Sequence, residues 1–165
     1  MRINADGAPR SAAAIFVTVK IRDLYTPQPQ TVFRDEPLAD AARTLCHRHI
    51  GALVVLKRGD PLRRPTGMLT DRDIVRGEFR RGTDLYLLTV GDVMTADPLV
   101  LRTDLGLTEA VEALNARSVR RAPVVDASGA LLGIITLDDL LPALARELMT
   151  LASLMGTQAS REGRH

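Results

Sequence analysis

The sequence predicts a mixed α/β (α+β) fold: two β-α-β-β-α repeats packed through their sheets with pseudo-two-fold symmetry. Three observations carry this prediction: an internal match, one order of turn and helix signals in both halves, and Val-rich runs that read as buried strands. Laying Asp23 on Asp92 also lays Thr26 on Thr95, Pro29 on Pro98, Asp35 on Asp104, Leu38 on Leu107, Ala41 on Ala110, Leu45 on Leu114, Arg48 on Arg117 and Val55 on Val124, without a gap. After an excess in the first half near Gly59 to Pro65, the match resumes with Gly67 on Gly133, Thr70 on Thr136 and Asp73 on Asp139. Similarity between unrelated helices would not preserve turn and strand residues together, so the chain reads as an internal duplication.

Each half begins with a short strand, Thr31 to Phe33 or Leu99 to Leu101. Helical spacing follows over Pro37 to Arg48 and Gly106 to Arg117, through Leu38, Ala41, Ala42 and Leu45 and through Leu107, Ala110, Val111 and Leu114. Asp35 and Thr103 or Asp104 are the expected N-caps. The runs Ala52 to Leu56 and Ala122 to Val125 read as buried strands. Gly59-Asp60 and Ser128-Gly129 turn the chain into third strands, Thr66 to Leu69 and Ala130 to Ile135, and helices start at Thr70 and Thr136. A unit this small buries too little apolar surface to stand alone, so the two sheets should pack on each other. The expected organisation is a flexible segment 1–16, a first repeat 17–81, a second repeat 82–145, and a C-terminal helix and tail 146–165.

Composition narrows the function. The 165 residues are 45% hydrophobic and 25% charged, values of an ordinary globular chain. Aromatic residues make up 3%, too few for a platform that stacks single-stranded bases. The formal net charge is only +2, which is no nucleic-acid signature, although nearly all cations are arginine, with Lys20 and Lys57 the lysines. One cysteine, Cys46, allows no internal disulfide and fits a reducing, cytoplasmic compartment. The apolar run Ala12 to Val19 is too short for a membrane span and lacks a cleavage site, so neither an anchor nor a signal peptide is expected.

The repeated Gly-x-x-Thr-x-x-Asp, Gly67 to Asp73 and Gly133 to Asp139, has two readings. Threonine followed three residues later by an acid forms a capping box, although aspartate is a shorter return arm than glutamate. Alternatively, free backbone donors at the helix start and the Thr hydroxyl meet a phosphate while the carboxylate accepts from a ribose diol.

With Asp23 to Pro27 and Asp92 to Thr95 leading in, and the paired motif closing each unit, the chain resembles a tandem pair of cystathionine-β-synthase-type (CBS) domains, a Bateman module, over roughly 17–144. The resemblance implies clefts between the repeats that bind adenosine-containing ligands such as AMP, ATP or NAD, with no obligatory cofactor. It assigns Thr70 and Asp73 to one cleft and Thr136 and Asp139 to the other. It sets main chain around Gly51, Ala52 and Leu53, and around Arg121, Ala122 and Pro123, near adenine, with Thr26 and Thr95 at the cleft mouths. It also implies a homodimer and a role in signal transduction.

The two motifs differ: Arg72 in the first is Asp138 in the second, so the first cleft should hold phosphate better. Arg120 and Arg121, which match Gly51 and Ala52, are expected to compensate partly in the second cleft. Cys46, His47 and His49 do not share one helix face, so no metal site is expected. No nucleophile elbow, phosphate loop or dinucleotide glycine fingerprint occurs, so the chain is not expected to be an enzyme. Two other readings compete: a nucleotide-hydrolysing or phosphate-transferring enzyme, and a nucleic-acid binder using Arg63, Arg64, Arg72, Arg76, Arg80 and Arg81. Leu140, Leu141, Leu144, Leu148, Leu151 and Met155 extend a helical apolar pattern that either folds back on the core or serves assembly, with Pro142 starting or kinking that helix. The ends, 1–11 and 158–165, are expected to be mobile.

Overall fold

The computed structural model describes residues 19–82 and 84–162, with the side chains of Arg81 and of 154–162 outside the description. The segment 1–16, the tail beyond 162 and the side chain of Met155 lie outside the described residues. In chain order the elements are β1 (Thr26–Pro27), β2 (Thr31–Phe33), α1 (Leu38–Arg48), β3 (Ala52–Leu56), β4 (Pro65–Thr70), α2 (Asp71–Arg81), α3 (Val90–Val93), β5 (Thr95–Ala96), β6 (Leu101–Arg102), α4 (Leu107–Ala116), β7 (Arg121–Val125), β8 (Leu131–Thr136) and α5 (Leu137–Glu162). Single 3-10 turns, Ile21–Asp23 and Leu85–Leu87, precede β1 and α3. This is the expected mixed α/β duplication, with Thr31–Phe33 and Ala52–Leu56 at their predicted bounds.

Two four-stranded sheets form, ordered β2-β3-β4-β5 and β1-β8-β7-β6. In each, the strand after the lead-in pairs parallel with the buried Val-rich strand, which pairs antiparallel with the third. The fourth strand is exchanged. β5, at the start of the second repeat, pairs with β4 of the first (Met68 opposite Thr95), and β1, at the start of the first, pairs with β8 of the second (Thr26 opposite Ile134).

The exchange includes the turns before those strands. Val90 N–H donates to Glu36 O at 2.9 Å and Gly91 N–H to Arg34 O at 2.8 Å; the matching bonds run from Ile21 to Leu105 O and from Arg22 to Thr103 O, both at 3.0 Å. Ile21 is wholly buried in a core with Leu107, Leu114, Ala122 and Ile135 of the second repeat, and Val90 in a core with Leu38, Leu53 and Leu69 of the first. Each leading segment therefore closes the other repeat's core. A third cluster, Ala52, Val54, Leu56 and Met68 with Leu131 and Ile134 against it, joins the two sheets. Alternation along β3 explains its unbroken burial: Leu53 and Val55 face the helices, and Ala52, Val54 and Leu56 face the other sheet.

The expected N-caps are corrected. Pro37 precedes α1 without a side-chain cap bond, and α4 starts after Gly106, whose N–H donates to Glu109 Oε2 at 2.7 Å. Asp35 instead accepts from Arg58 Nε at 3.0 Å and Asp104 from Arg102 Nε at 3.0 Å, so an arginine partner outcompetes the cap. Both helices end alike: His49 (φ 53°) and Ser118 (φ 52°) are left-handed, and the next N–H reaches back to Leu45 O or Leu114 O. Gln28 (φ 53°) and Asp97 (φ 51°), just past the exchanged strands, share the same unusual backbone. The duplication thus extends to backbone geometry at positions where the residues differ.

Helix α5 continues through Pro142 as one element to Glu162, so residues 158–162, which lack apolar periodicity, are helical. Leu140 and Ala143 are buried, with Leu144 against the same core, whereas Leu141, Leu148, Met149 and Leu151 are exposed. No described helix is long and apolar enough to cross a membrane.

Candidate functional site

The motif residues sit where β4 runs into α2 and β8 into α5. Gly67 and Gly133 are there because the exchanged strand lies against them. A Cβ on Gly67 would stand 2.7 Å from Met94 Sδ and 3.0 Å from Thr95 O, and one on Gly133 would overlap the Tyr25 ring and stand 2.5 Å from Thr26 O.

Three residues on, the threonine caps its helix. Thr70 N–H and Oγ1–H donate to Asp73 Oδ2 at 2.9 and 2.6 Å, and Asp73 N–H donates to Thr70 Oγ1 at 3.2 Å. Thr136 and Asp139 repeat the pattern, both donations at 2.8 Å. So do Thr89 and Asp92 at the start of α3, at 2.9 and 2.7 Å. Aspartate is therefore long enough to close the box.

This geometry alters the expected roles. The hydroxyl proton of Thr70 is committed to Asp73, and a hydroxyl carries only one. Arg72 N–H is bonded to Asp71 Oδ1 at 2.8 Å, so two of the first-turn donors expected to be free for an anion, those of Arg72 and Asp73, are engaged. Thr70 acts by fixing Asp73, whose Oδ1 takes no part in the cap. Positive charge at the site must come from side chains.

A cleft of about 540 Å³ supplies it. One wall is Met68 and Thr70 to Asp73; another is β5 and the chain that follows, Thr95 to Leu99; the third is the α4–β7 turn, Arg117 to Arg121. The cleft thus joins the helix start of the first repeat to the exchanged strand and the turn of the second. Arg72, Arg117, Arg120 and Arg121 all line it, and none lies within 4.0 Å of a carboxylate among the described residues. Asp71, Asp73 and Asp97 share the lining, which leaves an excess of unpaired guanidinium forks.

Of the expected site residues, Thr70, Arg72, Asp73, Thr95 and Arg121 converge here. Arg120 and Arg121 were expected to serve the second cleft; they line the first instead, because this cleft takes its turn from the second repeat. Arg117, not singled out from the sequence, joins them; its equivalence to Arg48 marked it as part of the repeat without showing which cleft it faces. Thr136 and Asp139 form their own capped helix start, with Thr26 one residue along from the Gly133 pairing on the exchanged strand. Ala52, Leu53, Ala122 and Pro123 are buried within the paired strands and do not line the cleft, Leu53 and Ala122 being wholly inaccessible, although Ala52 lies directly opposite Thr70. A Cβ on Gly51 would lie 3.4 Å from Arg121 Nη1, so this guanidinium spans from the first cleft to the turn before β3.

The remaining candidates disperse. Cys46 is exposed, and no cluster of His, Cys, Asp and Glu among the described residues fits a metal ion. Of the arginines grouped as a basic patch, Arg63 donates to Thr31 Oγ1 at 3.4 Å and Arg64 to Ser128 O at 3.5 Å, while Arg72 lines the cleft. The side chain of Arg81 lies outside the described residues.

Comparison with known proteins agrees with this architecture. The family model described as CBS domain matches residues 21–79 and 90–146. An uncharacterised protein of Methanopyrus kandleri is 29% identical over 120 residues, and this chain spans about half of its length, 57%. Inosine-5'-monophosphate dehydrogenase of Thermoplasma acidophilum is 34% identical over 125 residues, 75% of this chain but 22% of that protein. The CBS domain-containing protein YhcV of Bacillus subtilis is 32% identical over 120 residues, which cover 73% of this chain and 81% of that one. Among solved structures, CBSX2 in complex with AMP is 30% identical with a TM-score of 0.65, covering 77% of this chain and 96% of that one. Hypoxic Response Protein I, with two coordinated zinc ions, is 31% identical with a TM-score of 0.65, covering 75% and 98%.

Proposed function

The chain belongs to the CBS domain family, and from that premise we propose that it is a non-enzymatic regulatory module that senses an adenosine-containing nucleotide of the AMP, ATP or NAD type. The observation that carries this reading is the cleft at the start of α2, where four arginines without acidic partners surround the fixed carboxylate of Asp73. Guanidinium forks bind phosphate oxygens two at a time. The Asp73 carboxylate repels phosphate but accepts from ribose hydroxyls. Met68, Leu99 and Val119 give the cleft apolar surface for a base, with Arg121 beside it. The AMP complex of a relative with 30% identity supports the ligand class.

The two clefts are unequal in this reading. In the second, built on Thr26, Gly51, Thr136 and Asp139, Asp138 stands in the place of Arg72, and Gly51 and Ala52 stand in the places of Arg120 and Arg121. Calorimetric titration of AMP into the wild type, Asp73→Ala and Asp139→Ala tests this: the first substitution should weaken binding at least tenfold and the second far less. Equal losses, or none, would overturn it.

Ligand regulates by binding one arrangement of the repeats better than another, and only to the extent of that difference. The output surface we assign is a homodimer interface, supported by Val75 and Phe79 on α2 and Leu141 on α5, all exposed and at matching positions of the two repeats in the case of Val75 and Leu141. Signal transduction then proceeds by changing how that dimer meets a protein target. The lone cysteine supports a cytoplasmic setting. Incubation with ATP followed by product analysis separates this reading from a nucleotide hydrolase: turnover would refute it.

A further inference from the structure

We propose that the groove between α2 and α3 is an anion subsite continuous with the cleft, so that the site selects nucleotides carrying more than one phosphate. The inference rests on reading the cleft as a nucleotide site and specifies what that site prefers. The groove encloses about 400 Å³ and shares Asp73 and Thr95 with the cleft. Arg76 and Arg80 line it from α2. At about 1.5 Å of rise per residue they stand roughly 4.5 and 10 Å beyond Asp73 along the helix, on the same face.

Neither arginine has a carboxylate within 4.0 Å among the described residues. The two acids of the groove are engaged elsewhere: Asp73 Oδ2 holds Thr70 and Asp92 Oδ2 holds Thr89. A phosphate chain leaving a ribose at Asp73 would meet Arg76 first and Arg80 next, and their guanidinium forks have no carboxylate within ion-pair distance among the described residues to compete with it. The second repeat keeps only part of this lining: Pro142 and the buried Ala143 occupy the positions of Arg76 and Gly77, while Arg146 occupies that of Arg80. Gly77 itself is needed, because a Cβ there would collide with Val93 of α3.

The test is titration of AMP and ATP into the full chain and into the double variant Arg76→Ala/Arg80→Ala. Wild type should bind ATP about tenfold more tightly than AMP, in line with charge-assisted bonds at a solvent-exposed groove, and the double variant should bring that ratio close to one. Arg76→Lys/Arg80→Lys, which keeps charge and loses the forks, should give an intermediate ratio and controls for folding. Equal affinity for AMP and ATP in the wild type, or a ratio that survives the double substitution, overturns the subsite while leaving the nucleotide reading intact. Failure of wild type to bind either nucleotide overturns both.

Discussion

The Tyr25 ring lies where a side chain on Gly133 would begin, although the two residues belong to different repeats. The same relationship joins Met94 to Gly67, so each motif glycine records the passage of the other repeat's leading strand.

Gly133→Ala should therefore destabilise the chain by about 1–3 kcal/mol, the usual range for overpacking. Gly67→Ala should cost less, because its nearest obstacle is the flexible Met94 thioether rather than a ring, and its carbonyl neighbour Thr95 O stands at 3.0 Å where Thr26 O stands 2.5 Å from a Cβ on Gly133. Urea unfolding midpoints compare them; equal shifts would show that the strand contact is not what selects glycine.

Ile21→Ala removes a buried side chain from the core of the repeat that does not contain it. Loss of about 2–5 kcal/mol is expected for such a truncation. Hydrogen exchange should locate the damage in α4 and β7 ahead of α1 and β3. Damage centred on α1 would refute the exchange of leading segments.

Acid should weaken the hairpin turns. Asp60 accepts from the N–H groups of Arg64 and Leu62, and Asp126 from the Ser128 hydroxyl and the Ala130 N–H; these bonds hold both carboxyls below their ordinary value of 3.8. A carboxylate with a depressed folded-state pKa contributes stability above its unfolded value and loses it as pH falls through the folded one. Urea midpoints should stay level from pH 7 to about 5 and fall below about pH 4. Asp126→Asn should flatten that fall, since asparagine keeps an acceptor and does not titrate; an unchanged acid limb would place the titration elsewhere.

Phe79 is 90% exposed and Val75 66%, one turn apart on α2. Phe79→Glu should convert a dimer to a monomer in sedimentation analysis without changing the thermal midpoint of dilute protein by more than a degree or two. A wild type that sediments as a monomer at all concentrations would rule out the assembly.

Much of the fold was legible because duplication repeats its signals. The apolar spacing of Leu38, Ala41 and Leu45 and the Val-rich runs fixed the helices and buried strands to within a residue or two. Strands β1 and β5 were not legible, since two residues carry no periodicity and their partners lie in the other repeat. Their trace was a glycine inside each third strand, unexplained until the crossing was seen. The caps failed where Asp35 and Asp104 found arginine partners, the distant Arg58 for the first and Arg102, two residues away, for the second. At the site, Thr70, Arg72 and Asp73 were readable from the motif. Arg117 and Arg120 were misplaced or missed because their cleft depends on which repeat's turn folds over which helix.

A polypeptide with a single copy of this unit would carry a leading strand that does not pair with its own sheet, and would complete that sheet by exchanging leading strands with a second molecule. The present chain is topologically that swapped pair joined end to end. The connection between α2 and α3 is then the seam where two molecules became one, and cutting it should leave halves that recombine with each other instead of folding apart.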